Sequence, residues 1–426
     1  MASAQTEPAW LSERRRKGAS LAQELGLPTT KDKGWEFTEL AGLDLAAYEP
    51  SANGAEAADA APILPTPEDA AFLRQVDARA LGSELAGSVA GETPSKPTVM
   101  PLSEAAEAYP ELIQRHLGSL VPSDDVFVAH NEANWSGGAF VYVPAGQRLE
   151  VPIGLSAIQQ TPGSLLGWRS LIVLEEGAEA EVWEQYLAAQ QDVDALFNGV
   201  TELVVGEGAT LRFVCGQDLP ESAWVFATQR AQVERDATLE WVALGFGSAR
   251  GKVRMETKLA GQGSTAKVTG AYAGNGHQHL DYDTTQEHAA PDTTSDLAFR
   301  GVLGGESTAV WRGMIKVDPG AQRTDAFQES RNLLLTNKAH ADAIPGLEIE
   351  ADDVRCTHAA AVAQIDADQL YYLRSRGLAE GDAKRLIIDG FLQELVERTI
   401  EGPIRDALAG ALERRLSELL DVPAAA

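Results

Sequence analysis

The amino-acid sequence predicts a mainly β protein built around a parallel β-helix, a solenoid of stacked coils, with α-helical regions on both sides. Three observations predict this class. From about residue 126 the apolar residues alternate instead of following a helical spacing, a corner motif recurs about every thirty residues, and the last part of the chain returns to helical spacing. We place an N-terminal helical domain at residues 1–122, the β-helix core at 123–358 and a C-terminal helical domain at 359–426.

The N-terminal part is interpreted as helices joined by loops. Thr6 and Pro8 have the composition of a helix start, and further helices are expected over residues 66–87 and 103–116. A run rich in Ala, Glu, Asp, Ser and Gly near residues 46–61 predicts a mobile linker, because such a segment buries little apolar surface.

The repeat of the central region consists of an apolar residue, two turn residues, a Gly or Asp, and a new strand. Gly and Asp suit a tight corner, which requires a positive φ or an Asx turn. The regular period favours a solenoid over a β-sandwich or jelly roll, which is the second interpretation. Early strands are expected at residues 126–128, 140–143 and 171–174. The corner residues, spaced 31, 31, 28 and 27 residues apart, are Gly146, Gly177, Gly208, Asp236 and Gly263, with a late copy at Gly320.

The C-terminal part predicts three helices, over residues 370–375, 382–399 and from Pro403 onward. Asp366 resembles the start of a capping box for the first of them. These helices are interpreted as a cap over the solenoid, and the alternative is a docking surface for a partner. The apolar stripes are Leu386, Ile387, Phe391 and Leu395 in the second helix and Ile404, Leu408, Leu412, Leu416 and Leu419 in the third.

Charge and composition limit the kinds of partner. Lys+Arg 35 against Asp+Glu 63 gives a net charge of −28, which argues against nucleic acid, anionic membranes and polyanions. The 2 cysteines cannot form a disulfide framework, so a reducing compartment is expected. Because the sequence also has no run of about eighteen apolar residues, we expect a cytoplasmic protein outside the membrane.

Sequence motifs of catalysis are missing: there is no Gly-x-Ser-x-Gly, phosphate-binding loop, His-Glu-x-x-His or Cys-x-x-Cys pattern. We therefore expect no catalytic residues and a protein that is not an enzyme. One polar strand, with His277, His279, Asp281 and Asp283 at alternate positions, could bind a metal but equally fits a strand facing water. Cys215 alternates with Leu211 and Phe213, so it is expected to be buried.

The most informative stretch runs from Glu348 to His358. If it is extended, Cys356 and His358 lie on one face of the strand, together with Asp352 and Val354. A thiol and an imidazole two residues apart can reach a common metal or cluster. Two ligands do not complete a zinc or iron–sulfur site, so the pair is either structural or shared with another chain.

Several separate blocks resemble the SufB/SufD family of iron–sulfur cluster assembly proteins, over residues from about 121 to the end. Within the family the chain is most similar to the SufD branch, because Ala351 to His358 reads Ala-Asp-Asp-Val-Arg-Cys-Thr-His. The SufB branch has a cysteine and a glutamate where this chain has Ile349 and Ala359. The other matching blocks are Thr293 to Leu303, Arg312 to Gly320, Gln328 to Leu335 and Asp368 to Leu378.

The resemblance implies a right-handed parallel β-helix flanked by helical domains. It also implies a complex with two partners. SufB would pair with the late strands of the solenoid. The ATPase SufC would dock on the C-terminal helices, and ATP would bind only to SufC. A transient iron–sulfur cluster would then be shared with SufB, with His358 as its metal ligand and Cys356 as a weaker companion.

Several alternatives stay open at this stage. The chain could act as a SufB-like stand-alone scaffold, as a purely structural partner with an inert Cys356 and His358, or as a carbohydrate-active β-helix enzyme. Flavin binding and pairing of the chain with itself as a homodimer are also open.

Overall fold

The structure, a computed structural model, describes residues 7–50, 60–65, 71–81, 93–190 and 194–420. It confirms a mainly β protein with a β-solenoid core and helices on both sides of it in the chain. The helices are α1 (Ala9–Leu25), α2 (Leu102–Ala108), α3 (Pro110–His116), α4 (Val126–Asn134), α5 (Ala367–Ser375), α6 (Glu380–Val396) and α7 (Pro403–Leu420), with a 3₁₀ turn at Leu45–Ala47.

The strands are short in the N-terminal region and mostly about ten residues long in the solenoid. The first ten are β1 (Glu49–Pro50), β2 (Ala71–Val76), β3 (Arg79–Leu81), β4 (Thr98–Pro101), β5 (Gly137–Val143), β6 (Ile153–Gln159), β7 (Ser164–Leu174), β8 (Glu179–Ala188), β9 (Ala195–Val205) and β10 (Thr210–Asp218). The remaining ten are β11 (Trp224–Val233), β12 (Thr238–Gly245), β13 (Arg250–Leu259), β14 (Thr265–Gly274), β15 (His279–His288), β16 (Thr294–Leu303), β17 (Thr308–Val317), β18 (Thr324–Leu334), β19 (His340–Ile349) and β20 (Val354–Gln364).

Each coil of the solenoid gives one strand to each of two sheets. Consecutive strands therefore lie in different sheets, and each strand pairs in parallel with the second strand along, as β10 does with β8 and β12. Sheet I has the order β19-β17-β15-β13-β11-β9-β7-β5-β4, and sheet II has the order β20-β18-β16-β14-β12-β10-β8-β6-β2-β3. The two sheets enclose one long apolar core.

Residues with positive φ form the corners between strands. The five predicted corners are confirmed, with φ between 54° at Asp236 and 75° at Gly263. Each corner amide donates to a carbonyl on the next coil; Gly146 N, for example, lies 2.8 Å from Glu176 O. Because one coil's corner holds the next, the period is fixed by backbone hydrogen bonds as well as by side-chain packing.

The late corner differs from the predicted one. Gly320 does not have a positive φ, and the corner falls at Arg323, with φ 59°. Arg323 is held there by Asp292, the corner residue of the preceding coil, through Nε–Oδ1 and Nη2–Oδ2 contacts of 2.5 and 2.6 Å. This paired contact offsets the cost of left-handed backbone for a residue with a side chain.

The N-terminal region contains strands where the sequence predicted helix. Residues 71–81 form the β2–β3 hairpin and not a helix, with Asp77 at positive φ in the turn. Its alternating burial and its parallel pairing with β6 outweigh the helix propensity of the segment. The rest of the predicted 66–87 helix, and residues 51–59 of the predicted linker, lie outside the described residues.

A second correction concerns residues 126–128, which are predicted as strand and form the start of α4. Asp125 caps this helix: its carboxylate accepts from Phe127 N at 2.8 Å and from Val128 N at 3.3 Å. The cap satisfies two free amides of the first turn, and α4 packs between α1 and sheet I, so its apolar residues are buried without a strand. The predicted helix over residues 103–116 is present as α2 and α3, which meet at Pro110.

The C-terminal helices are confirmed, and α6 and α7 pack on the outer face of sheet II. The apolar stripe of α7 is buried as predicted at Ile404, Leu408, Leu412 and Leu416. In α6 the buried stripe is rotated, because Ile388, Leu392 and Leu395 are buried and Leu386 is exposed. The helix is apolar on more than one stripe, so packing on the sheet, and not periodicity, selects the buried one.

The solenoid has one covered and one uncovered end. At the start, β4 pairs antiparallel with β5 and ends sheet I, and β3 pairs antiparallel with β2 and ends sheet II. At the other end, β19 pairs with β17 and β20 pairs with β18, and no strand of the described ranges continues either sheet. The β structure also extends beyond the predicted limit at His358, since β20 continues to Gln364.

Candidate functional site

The uncovered terminal coil, made of β19 and β20, brings together the two residues that the sequence singled out. Cys356 is in register with Ala326 and His358 is in register with Gln328. Ala326 and Gln328 are both buried inside the solenoid. Cys356 and His358 therefore share the inward face of β20, as predicted.

The Cys356 side chain is half-buried. It packs against a small apolar cluster that contains Ile315, Val317 and Ala326. Burial, followed by the nearby Asp325 carboxylate, raises the pKa of the Cys356 thiol. The thiolate is the metal-binding form, and this environment favours the protonated thiol.

His358 is exposed at the open end of the solenoid, directly above the fully buried Gln328. The Gln328 amide crosses the interior, and its Nε2 donates to Gly313 O at 3.3 Å and to Gly346 O at 3.0 Å. It thereby ties β18 to both β17 and β19. The imidazole therefore lies over the hydrogen-bonded Gln328 amide, at an inward position that is exposed because it belongs to the last coil.

Around His358, residues on the inward face of the last coil leave apolar surface uncovered. Leu347, Ile349 and Val362 are large hydrophobic residues that are 39%, 41% and 44% exposed. Leu347 and Ile349 are in register with Ile315 and Val317, which are fully buried one coil earlier. The solenoid therefore ends with its core open to the outside.

The free edge of β20 lacks the usual protection of edge strands. Natural edges are blunted by charges, prolines or bulges, because unpaired backbone groups template association. In β20 the run from Cys356 to Gln364 has no charged residue and no proline. The edge of β19 is interrupted by Pro345, which lacks an amide hydrogen. The longer uninterrupted edge therefore belongs to β20.

A second surface lies on the C-terminal helices. Helix α5 is capped by Asp366, whose carboxylate accepts from Asp368 N and Gln369 N, and none of its residues is buried. Tyr371 is 74% exposed, and Tyr372 beside it and Leu386 on α6 are exposed as well. Aromatic side chains of this size are typical of protein contact surfaces.

The polar strand considered for metal binding does not form one site. His279 and Asp281 both bond the Thr38 hydroxyl, at 2.9 and 2.5 Å, and Asp281 also pairs with the buried Lys252 at 2.9 Å. His277 points away to Glu306, 4.0 Å distant. Over the part of the chain that the structure describes, no three His, Cys, Asp or Glu side chains are grouped as a metal site. Cys215 is buried as predicted, and burial raises the pKa of its thiol to about 12.

Sequence reasoning missed Gln328 and the open core residues Leu347 and Val362. Gln328 has a polar side chain at an inward position, which alternation alone would have indicated once the strand register was known. The exposure of Leu347 and Val362 had no sequence signal, because they have the ordinary apolar pattern of a buried strand.

These features define a class of protein: a two-sheet β-solenoid with an uncovered last coil, an imidazole and a thiol on that coil, and a C-terminal group of helices after it. Residues 157–391 match the family model described as SUF system FeS cluster assembly, SufBD core domain, and residues 86–155 match the SufBD protein N-terminal region. The chain belongs to the SufBD family of iron–sulfur cluster assembly proteins.

Curated relatives include both branches of the family. The chain is 29% identical to the iron-sulfur cluster assembly protein SufD of Bacillus subtilis over 419 residues, covering 96% of this chain and 95% of the relative. It is 30% identical to SufB of the same bacterium over 287 residues, covering 66% and 61%. A SufBD family protein of Staphylococcus aureus is 28% identical over 91% of this chain and 85% of the relative. None of the helices in the described ranges has the length and apolar composition to cross a membrane.

Proposed function

We propose that this chain is a SufD-like, non-catalytic subunit of a SUF scaffold that builds and releases nascent iron–sulfur clusters. In this role it pairs with a SufB chain through its terminal coil, docks the ATPase SufC on its C-terminal helices, and contributes His358 to the site where the cluster forms. The open end of the solenoid, with His358 beside an unprotected β20 edge, is the observation that supports the proposal most strongly.

The chemistry of the terminal coil fits a shared site. This chain offers one exposed imidazole and one half-buried thiol with a raised pKa, which is too few ligands for a cluster of its own. A partner whose edge pairs with β20 would bring its side chains over His358 and cover Leu347, Ile349 and Val362. SufB would then supply thiolate, and Cys356 would contribute mainly to packing.

Imidazole ligation also suits cluster transfer, because it would make a nascent cluster easier to pass on than an all-thiolate site would. Exchanging a thiolate for an imidazole lowers the negative charge at a cluster and raises its reduction potential. Movement of SufC on ATP binding would shift the two solenoids and open the interface, so that iron and sulfide enter and the finished cluster leaves. The exposed Tyr371, Tyr372 and Leu386 provide the docking surface for SufC.

The test is anaerobic reconstitution of the complex with SufB and SufC from the same organism, using ferrous iron and sulfide. His358→Ala is expected to copurify with both partners and to lose most of the cluster absorbance. Thr357→Ala, an exposed change on the opposite face of β20, is the matched control and is expected to reconstitute like the unmodified chain. Unchanged cluster absorbance with His358→Ala would contradict the proposed ligand and favour a purely structural subunit.

A stand-alone scaffold is less well supported, because this chain has Ile349 and Ala359 where the resemblance to the family implies a cysteine and a glutamate in the SufB branch. Reconstitution of this chain without SufB separates the two functions. We expect no stable cluster in that experiment, and a stoichiometric cluster on the isolated chain would favour the stand-alone scaffold.

A further inference from the structure

The buried side chain of Gln328 uses only part of its hydrogen-bonding capacity. Its Nε2 donates to Gly313 O on β17 at 3.3 Å and to Gly346 O on β19 at 3.0 Å. Its Oε1 is enclosed as well, but no donor reaches this oxygen within the part of the chain that the structure describes. Buried acceptors in proteins almost always have a partner. The donor to this oxygen is therefore to be sought among the groups beside the amide.

The position of Gln328 Oε1 is fixed by its surroundings. The amide cannot turn over without losing both of the hydrogen bonds that its nitrogen donates. It also occupies a space that exists only because residue 313 is a glycine, since an added Cβ would collide with Oε1 and with the Trp311 ring. Oε1 is thus a preformed acceptor in the layer directly beneath the last coil.

Two neighbouring groups have an N–H that no acceptor uses. The Trp311 indole Nε1 is buried without a partner, but its ring is packed in the core, 6.3 Å from the Phe299 ring centroid. The His358 imidazole is exposed and in register with Gln328 on the next coil, and neither of its ring nitrogens has a hydrogen-bond partner in the described ranges. Register partners on neighbouring strands lie about 4.8 Å apart. The exposed imidazole is therefore the donor that can adjust to this oxygen.

A hydrogen bond of this kind suits an imidazole that binds a metal. A neutral imidazole has one N–H and one bare nitrogen, and only the bare nitrogen can be a ligand. Ligating histidines commonly donate their N–H to a carbonyl or carboxylate, which fixes the tautomer and the orientation of the ring. A carbonyl beneath His358 would select the tautomer whose bare nitrogen is directed away from the interior.

We propose that Gln328 is a positioning residue for His358: its Oε1 accepts a hydrogen bond from one ring nitrogen and leaves the other bare and directed out of the open end. The purpose of this bond, to prepare a cluster ligand, rests on the proposed function, but the bond itself belongs to this chain alone. A partner that covers the last coil removes water from the imidazole N–H. Gln328 then supplies the acceptor that water no longer provides.

The tautomer of His358 tests the hydrogen bond on the isolated chain. NMR spectra of the chain with its 7 histidines labelled with ¹⁵N, recorded near pH 9 where an imidazole of ordinary pKa is neutral, distinguish the two tautomers. The signal lost in His358→Gln identifies the residue. We expect one tautomer of His358 to predominate in the unmodified chain. Gln328→Met, which keeps the length of the side chain but not the amide, is expected to give the mixture of an exposed histidine such as His277.

Two variants serve as controls. Ser330→Ala changes another fully buried polar residue of β18, in register with Ala360 on the last coil, and is expected to leave the His358 tautomer unchanged. Trp311→Phe removes the other unused N–H and is expected to leave it unchanged as well. A His277-like mixture for His358 in the unmodified chain would overturn the inference without any variant. So would unaltered populations in Gln328→Met, or a shift of equal size in either control.

Cluster stability in the complex with SufB and SufC separates this inference from the proposed function. Complexes with Gln328→Met are expected to form and to lose their cluster to a chelator about tenfold faster than the unmodified complex, as for other groups that support metal ligands. If His358→Ala reconstitutes normally, the proposed ligand is wrong, and so is the purpose of the hydrogen bond. If His358→Ala loses the cluster and Gln328→Met does not change the tautomer, only the role of Gln328 is wrong.

Discussion

Gln328 and His358 occupy equivalent positions on adjacent coils, in register on β18 and β20, yet the first is fully buried and the second is exposed. Both residues face the interior of the solenoid. The difference arises only because the stack of coils stops after β20. His358 is therefore a core position that has become a surface position, on a strand that pairs with β18 at the end of its sheet.

This relationship predicts that two substitutions have effects of very different size on stability. Gln328→Ala removes the donor to Gly313 O and Gly346 O and leaves a cavity beneath the last coil, so we expect a loss of about 2 kcal/mol in the free energy of unfolding. His358→Ala removes an exposed side chain, and we expect a change within about 0.5 kcal/mol. Urea unfolding of the isolated chain measures both. Equal losses would contradict the assignment of His358 to an open position.

Local chemistry explains which parts of the fold the sequence predicted. The corners at Gly208 and Asp236 were identified because a positive φ restricts the residue type wherever the surrounding chain lies. The corner at Arg323 was not predicted, because its conformation depends on Asp292, a residue on another coil. The β2–β3 hairpin was missed for the same reason, since its pairing with β6 decides its structure.

The site was predicted in part for similar reasons. Alternation along one strand placed Cys356 and His358 on a common face, and the register confirms this. Alternation contains no information about where the stack of coils ends, so the exposure of Val362 was not predicted. The contact between Glu36 and Arg312 joins residues 276 positions apart, and no local pattern indicates it.

The corner geometry leads to a second prediction, for which two glycines form a matched pair. An added Cβ meets no atom within 4 Å at either Gly208 or Gly320, but only Gly208 has a positive φ, 63°. Gly208→Ala is therefore expected to cost about 1–2 kcal/mol of backbone strain. Gly320→Ala is expected to be neutral or to stabilise by up to about 1 kcal/mol, because it restricts the unfolded chain. Thermal or urea unfolding compares them, and similar losses for both would show that φ is not the cause.

The two cysteines are expected to differ in reactivity. Cys215 is buried inside the solenoid, accepts from Gln229 Nε2 at 3.1 Å, and has a pKa raised to about 12, so it is expected to resist a thiol reagent in the native protein. Cys356 is half-buried on the uncovered last coil and is expected to react with the reagent. The reaction is expected to be slower than that of a free thiol, because the pKa of Cys356 is also raised. Mass spectrometry of the labelled peptides measures both rates.

Addition of SufB extends the same experiment. If the partner covers the last coil, labelling of Cys356 is expected to fall at least tenfold in the complex, while Cys215 becomes reactive only in denaturant. Undiminished labelling of Cys356 in a stable complex would place the interface elsewhere on the chain.

The last prediction concerns pH and a buried histidine. His288 lies inside the solenoid with Nδ1 2.7 Å from Thr293 Oγ1 and Nε2 2.8 Å from Ser295 Oγ, and burial lowers its pKa from 6.5 to about 4. The unfolded chain therefore takes up a proton that the folded chain does not. The contribution of His288 to stability is complete above pH 6.5 and is lost as the pH falls toward 4, by about 3 kcal/mol.

Two variants isolate this effect from the titration of carboxylates. His288→Gln keeps a side chain that can bond both hydroxyls but does not titrate, so its free energy of unfolding is expected to fall less than that of the unmodified chain between pH 7 and 4. His277→Gln, at a histidine whose side chain is 85% exposed, is the control and is expected to follow the unmodified chain. Urea unfolding at closely spaced pH values measures the three curves. Parallel curves for His288→Gln and the unmodified chain would mean that His288 is protonated in the folded protein, which its burial argues against.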